Sequence, residues 1–230
     1  HVPYRPAPQM FLRLGYLSAA VLSVIPAQAS AVAVTAGWLH TCALRAGGSA
    51  ACWGATCWGQ CTSPGGSFEA IAAGTSSQNT CGLRAGGQAV CWGANDKGES
   101  SPPGGSFTAL SAGEYHACGL RANGQLFCWG SDYDGQVSPP GGNFEAVDAG
   151  MSHNCGLQLD GLVSCWGLNN NGQCNQPSGS FTALATAYYH TCGLRVDGSA
   201  VCWGLNDDGQ LNQPGGSFEA ITASFYHTCG

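Results

Sequence analysis

The chain has 230 residues, among them 36 Gly, 14 Cys and 7 Trp, yet only 9% of its side chains are charged, against about 25% in ordinary soluble domains. Seven Lys and Arg face 13 Asp and Glu, for a net charge of −6 and no basic run, which sets aside DNA and RNA as partners and leaves charged helical bundles without the exposed residues they need. A hydrophobic content of 44% suffices to bury a core and argues against disorder, so the expectation is a globular, turn-rich, oxidised protein.

In chain order, residues 1–9 precede the first methionine, Met10, and read as an upstream segment outside the fold. Residues 10–29 carry Arg13, an apolar stretch from Leu14 to Ile25, and small residues at Ala27 and Ala29, the pattern of a secretory signal peptide with an A-x-A site. That stretch is shorter than the roughly 20 residues a spanning helix needs, and no later one is longer. The expectation is a secreted chain, periplasmic or extracellular, with no membrane span. Cysteines in such a compartment pair as disulfides by default.

Residues 30–230 form one repeat array. Cys-Trp-Gly recurs at 52, 91, 128, 165 and 202, a period of 37 with one interval of 39, and a second Cys stands ten residues before each, at 42, 81, 118, 155 and 192, with a further one at 229. The units run 31–67, 68–106, 107–143, 144–180 and 181–217, and a partial sixth opens at Phe218. The two-residue excess of the second unit lies between Gly74 and Cys81, and tolerance of an insertion marks a loop.

Each unit carries three strand-like runs. In the third, residues 107–113 alternate, and residues 117–121 and 125–129 flank Ala122-Asn123-Gly124. The equivalent turns end on Gly48, Gly87, Gly124, Gly161 and Gly198, suited to three-residue hairpin loops whose last residue takes a positive φ. With 122–124 as the loop, residues 121 and 125 pair, and counting outward brings Cys118 opposite Cys128. The same register pairs Cys42 with Cys52, Cys81 with Cys91, Cys155 with Cys165, and Cys192 with Cys202. Zinc sites use closer C-x2-4-C knuckles. Cys57, Cys61, Cys174 and Cys229 are left over, and a Cys57–Cys61 bridge is one option.

Three short antiparallel strands per unit describe one blade of an all-β propeller. Helical solenoids of similar period need amphipathic runs that are absent. Alternation sends Cys118 and Leu120 to one face of the blade and Phe127 and Trp129 to the other. The Trp of one blade is therefore expected beside the disulfide and Leu of the next, with Gly82, Gly119, Gly156 and Gly193, and Ala43 in the first unit, leaving room on the Trp side.

The segment His190-Thr-Cys-Gly-Leu-Arg-Val-Asp-Gly-Ser-Ala-Val-Cys-Trp-Gly-Leu-Asn-Asp-Asp-Gly-Gln210 resembles the repeat of the regulator of chromosome condensation family, and the likeness recurs five times in order over about 31–230. The short repeat is similar to those of secreted bacterial propellers, including the β-lactamase inhibitory one. This resemblance implies a β-propeller, seven-bladed when complete, of which the chain supplies about five blades and the start of a sixth. The paired Cys and the scarcity of basic residues depart from the family and set aside chromatin binding and nucleotide exchange on a small GTPase.

In an up-and-down blade, the loop between the first and second strands and the loop after the third emerge at one end, and the hairpin turns at the other. The hairpin turns carry small or turn residues. The opposite rim carries Trp38, Tyr115, Tyr188, Tyr189, Phe225 and Tyr226 in the first loops, and Trp58, Tyr133, Asp134 and Asp207 in the second. Aromatic rings beside acids suit recognition of a protein or a glycan. Similar loop positions carry partner contacts in the β-lactamase inhibitory propeller, a role the resemblance extends to these residues.

His40, His116, His153, His190 and His227 recur two residues before the first Cys of a unit, without a fixed carboxylate or Cys partner. They are expected to hydrogen-bond loop backbone. Asp132-x-Asp134-Gly135 is similar to a calcium loop, but the equivalent Asn169–Gly172 and Asn206–Gly209 read as Asx turns before Gly. No nucleophile elbow, H-E-x-x-H or phosphate loop is present, so no metal or cofactor is expected. The sequence thus reads as a secreted, non-catalytic binding scaffold for a protein or glycan. The alternative is a carbohydrate-active or other extracellular enzyme module with its groups on the same rim.

Overall fold

The computed structural model describes residues 31–74 and 76–230; the expected upstream segment 1–9 and the expected signal peptide 10–29 lie outside the described residues. Strands form where small, branched and aromatic residues alternate, and most stop at or just before a Gly. The first sheet holds β1 (Ala31–Ala36), β2 (His40–Arg45) and β3 (Ala50–Gly54), and the second β4 (Ala70–Ala72), β5 (Asn79–Leu83) and β6 (Ala89–Gly93). The third holds β7 (Ala109–Ala112), β8 (His116–Leu120) and β9 (Leu126–Gly130), and the fourth β10 (Phe144–Ala149), β11 (His153–Gln158) and β12 (Val163–Gly167). A fifth, β13 (Phe181–Thr186), β14 (His190–Arg195) and β15 (Ala200–Gly204), is followed by a two-stranded sixth, β16 (Thr222–Ala223) and β17 (Thr228–Cys229). All pairings are antiparallel between consecutive strands. No helix of the described residues is long and apolar enough to cross a membrane.

Turn chemistry fixes the register. Gly48, Gly87, Gly124, Gly161 and Gly198 all have φ between 78° and 85°, which a residue bearing a Cβ rarely adopts, and each donates its N–H back to the residue that opens the turn. The five cysteine pairs that follow from this register face one another across the hairpins with Cα atoms 4.0–4.1 Å apart, and all five are disulfides. Each closes a short loop, a constraint on the unfolded chain of about 3 kcal/mol. The Cys57–Cys61 bridge is not formed. Cys57, Cys61, Cys174 and Cys229 are free thiols, and Cys61 instead donates to the Ala55 carbonyl at 3.1 Å.

The sheets stack face to face as propeller blades. Close contacts between neighbours run through their first strands, β1 to β4, β4 to β7, β7 to β10, β10 to β13 and β13 to β16, so the first strands form the hub. Hydrogen bonds reinforce it: Thr35 Oγ1 accepts the Ala73 N–H, and Ser111 Oγ accepts that of Ala149. Between blades, Trp92 packs with Cys42 and Leu44, Trp166 with Cys118 and Leu120, and Trp129 with Cys81 and Leu83. The order runs opposite to the expectation, because each Trp lies on the cystine of the preceding blade. Trp53, in the first sheet, has no described blade before it and is 54% exposed.

The room left by the repeated glycines is also taken by a different ring. A Cβ on Gly82, Gly119, Gly156 or Gly193 would strike the ring of Phe68, Phe107, Phe144 or Phe181 respectively. These rings come from the start of the same blade and pack against its Trp at centroid distances of 5.6–6.3 Å. The first unit lacks the Phe, having Ala31 at that place, and there the glycine position is Ala43.

Gly156→Ala would bring its Cβ to 2.5 Å from Phe144 Cδ1. A methyl forced into a packed core costs about 1–3 kcal/mol, so the urea midpoint should fall. Combined with Phe144→Leu, which opens the space, the pair should cost less than the sum of the single changes in a double-mutant cycle.

Candidate functional site

The rim is built by a hydrogen-bond scheme that recurs in every blade. The residue after the third strand donates its N–H to a carbonyl of the loop between the first two strands: Ala55 to Leu39, Ala94 to Gln78, Ser131 to Tyr115, Leu168 to Ser152 and Leu205 to Tyr189, at 2.8–3.0 Å. Both loops therefore emerge at one end. The hairpin turns lie at the other, where Gly48, Gly87, Gly124, Gly161 and Gly198 accept the N–H of the Phe that opens the next unit.

A glutamine then shapes the outer loop. Oε1 of Gln60, Gln136, Gln173 and Gln210 accepts the N–H two residues earlier at 2.7–2.9 Å. The backbone carbonyls of Gln60, Gln136 and Gln173 receive the indole N–H of the following blade's Trp92, Trp166 and Trp203 at 2.9–3.0 Å. In the second unit this residue is Glu99, which accepts the Lys97 N–H through Oε2 while its buried Oε1 has no partner. Asp132 accepts the Val137 N–H and the Ser138 hydroxyl, and Asn206 accepts the Leu211 N–H, so these side chains close the loop five and six residues on rather than in the Asx turn expected. Cys174 donates to the Leu168 carbonyl at 3.3 Å, and burial pushes its thiol up to about 11.

The predicted aromatic residues divide into separate groups. Tyr188 stacks on Phe225 with centroids 4.2 Å apart at 24°, Tyr189 meets Tyr188 edge-on at 4.4 Å, and Tyr226 lies 5.8 Å from Phe225. This patch joins the loops of two blades; Tyr226 is 64% exposed, and the others are half-buried. Trp38 and Trp58 stand half-exposed on the first blade, and Tyr133 is 92% exposed by itself. Asp207 is exposed, and Asp134 is half-buried, its N–H held by Gln136. The hairpin end is less bland than expected, since Leu159, Leu162 and Val196 are also exposed.

Glu114 was not among the expected site residues, yet it precedes Tyr115 and its N–H donates to the Met151 carbonyl, while the Met151 N–H donates to the carbonyl of Ala187, the residue before Tyr188. Burial pushes its carboxyl above the usual range, partly offset by the Tyr115 hydroxyl. In turn the Glu114 charge is the main cause that raises Tyr115. Tyr188 is pushed up to about 12, first by burial, then by Tyr189, with Glu114 also contributing. The Tyr115 and Tyr188 phenols therefore stay protonated at neutral pH. The signal available in the sequence was the position itself, the one carboxylate in the first-loop series.

The histidines bond to the next blade rather than to loop backbone. Nε2 of His40, His116, His153 and His190 lies 2.7–3.0 Å from Thr80 Oγ1, Asn154 Oδ1, Thr191 Oγ1 and Thr228 Oγ1 respectively. In the second unit the position is Asn79, and the residue it would reach in the third is Ala117; Asn79 turns to the Glu99 carbonyl instead. Burial lowers His116 and His190 to about 4 and His153 to about 3, so these rings are neutral. At the hub, the half-buried Asp148 accepts from Ser111 and from the N–H and hydroxyl of Thr186; burial raises its pKa and these bonds oppose the rise.

Blades of three antiparallel strands, stacked around their first strands and joined by an indole-to-carbonyl bond, define a β-propeller. The profile of the regulator of chromosome condensation (RCC1) repeat matches residues 68–99, 107–136, 144–173 and 181–210, more than half of the chain. The chain belongs to this family. It is similar to the ectodomain of the Physcomitrella patens receptor kinase CR4, with 30% identity over 88% of this chain and 59% of that one and a TM-score of 0.75. The CRINKLY WD40 ectodomain of the Arabidopsis thaliana receptor kinase ACR4 is likewise 30% identical, over 77% of this chain and 66% of that one, at a TM-score of 0.67. The chain thus spans less than two thirds of either ectodomain. Prp20p of Saccharomyces cerevisiae, described for its binding to Gsp1p and histones, shares the fold at a TM-score of 0.73 with 17% identity, over 85% of this chain and 68% of that one. No curated protein matches by sequence.

The buried histidines make the fold acid-sensitive. The unfolded chain takes up protons below about pH 6.5, whereas the folded rings do not until about pH 4 or 3. Their contribution is therefore complete above pH 6.5 and is lost as pH falls from there toward the folded values. Urea melts of the wild type and of His153→Gln at successive pH values should show a stability slope shallower in the variant by one proton between pH 6 and 4.

Proposed function

We propose that this is a secreted, non-catalytic binding protein that presents its loop rim to a protein or glycan partner. The observation that carries this reading is the patch of Tyr188, Tyr189, Phe225 and Tyr226, four rings linked in a row by successive contacts on the loop end and not sealed into the core. Rigid rings with a polar tip give contact area at low entropic cost, which is why such residues dominate binding energy at interfaces. The loops beneath are held by backbone and glutamine hydrogen bonds in each blade, so little ordering remains to oppose association.

Secretion is supported by the signal-peptide pattern of residues 10–29 and by five disulfides, which persist in oxidising compartments. The similarity to two receptor-kinase ectodomains agrees with it. The binding role proposed for this chain is carried by the rim rather than by the fold.

The test replaces Tyr115, Tyr188 and Tyr189 together by Ala, with disulfide mapping to show that the hairpins remain intact. Wild type and variant are compared on a glycan array and an array of extracellular proteins. The variant should lose at least tenfold in affinity for whatever the wild type binds; equal binding by both would assign recognition to another surface.

A further inference from the structure

The basic residues of this propeller gather at its hairpin end. Arg5 and Arg13 precede the described residues, which leaves five basic groups against 13 acidic ones. Four of the five, Arg45, Arg84, Arg121 and Arg195, open the hairpin turns. Arg84, Arg121 and Arg195 are occupied there, donating to the carbonyls of Gly65, Gly104 and Ser178 of the preceding unit. Lys97 is therefore the only Lys or Arg on the described loop rim. Facing it there are Asp96, Glu114, Asp132, Asp134, Asp207 and Asp208. Beneath the rim, Glu99 is fully buried with Oε1 unpartnered, and its charge is felt at Tyr115.

The aromatic patch lies in this acidic field. Aromatic faces attract cations, more strongly when water is excluded, and a surface of one sign steers and selects partners of the other. The chain already makes such a contact within itself, with the Arg121 guanidinium carbon 3.6 Å from the Phe127 ring centroid. We infer that the rim recognises a basic protein segment, whose Lys or Arg side chains lie on the Tyr188–Phe225 stack and pair with Glu114. This rests on the binding role proposed for the rim and narrows the partner from protein or glycan to a cationic polypeptide. Neutral glycans would take the rings but leave the desolvated Glu114 carboxyl without a counter-charge, which is why charge complementarity favours the peptide.

The experiment uses the full chain with its disulfides and fluorescence anisotropy. The probe is a labelled twelve-residue peptide of alternating Gly and Arg; peptides of alternating Gly and Glu or Gly and Ser serve as controls. The Gly/Arg peptide should bind, weaken steeply with added salt, and lose about tenfold or more in Glu114→Gln and in Tyr226→Ala. Asp160→Asn, at the hairpin end, should leave binding unchanged. No binding, binding unaffected by both rim changes, or equal binding of the Gly/Ser peptide would overturn the inference. If the triple Tyr variant loses a partner found on the arrays and the Gly/Arg peptide does not compete for it, the rim reading stands and the basic segment falls. If the triple variant loses nothing, both fall.

Discussion

The second to fifth blades are each fastened to the one before by a tryptophan that lies on a cystine and donates its indole N–H to a loop carbonyl. A 37-residue unit with three short strands cannot bury both faces of its own sheet, so its core exists only where two units meet. The first Cys of each pair supplies a fully buried apolar surface at the junction, and a buried indole needs an acceptor for its N–H. That acceptor is the carbonyl of a Gln or Glu whose own side chain closes the outer loop. Core and rim are thus mechanically one object: the residue that receives the Trp also sets the shape of the loop that faces the partner.

Much of this was legible in the sequence because a single element, the hairpin, fixes its own register. A three-residue turn ending on Gly at positive φ determines which residues face across it, and the disulfides follow. The direction of stacking was not legible. Alternation marks two apolar faces on a blade, but only the handed arrangement of the blades decides which face meets the preceding unit. Nor did the spacing reveal that Phe144 fills the notch over Gly156, since the two are joined by cross-strand geometry rather than by proximity in the chain.

On the rim, sequence reasoning found the residue types and missed their grouping. Tyr133 was readable as exposed because it stands in a turn flanked by Asp. The contact of Tyr188 with Phe225 crosses a blade junction, and no periodicity of one unit encodes it. The histidines show the same limit. Their recurrence pointed to a structural role, but their partners are side chains one blade on, where the distance in sequence is 38 residues.

The second junction shows what such side-chain matching entails. Where other units set His against Thr or Asn, this one sets Asn79 beside Ala117, so donor and acceptor have changed together. Units of equal length and similar motif are consequently not interchangeable. An unequal crossover in the gene that dropped this unit would bring His40 against Ala117 and leave a buried ring nitrogen without its mate. The linear order of the blades is written into their seams, which protects an array of near-copies from being reshuffled by the recombination its own repetition invites.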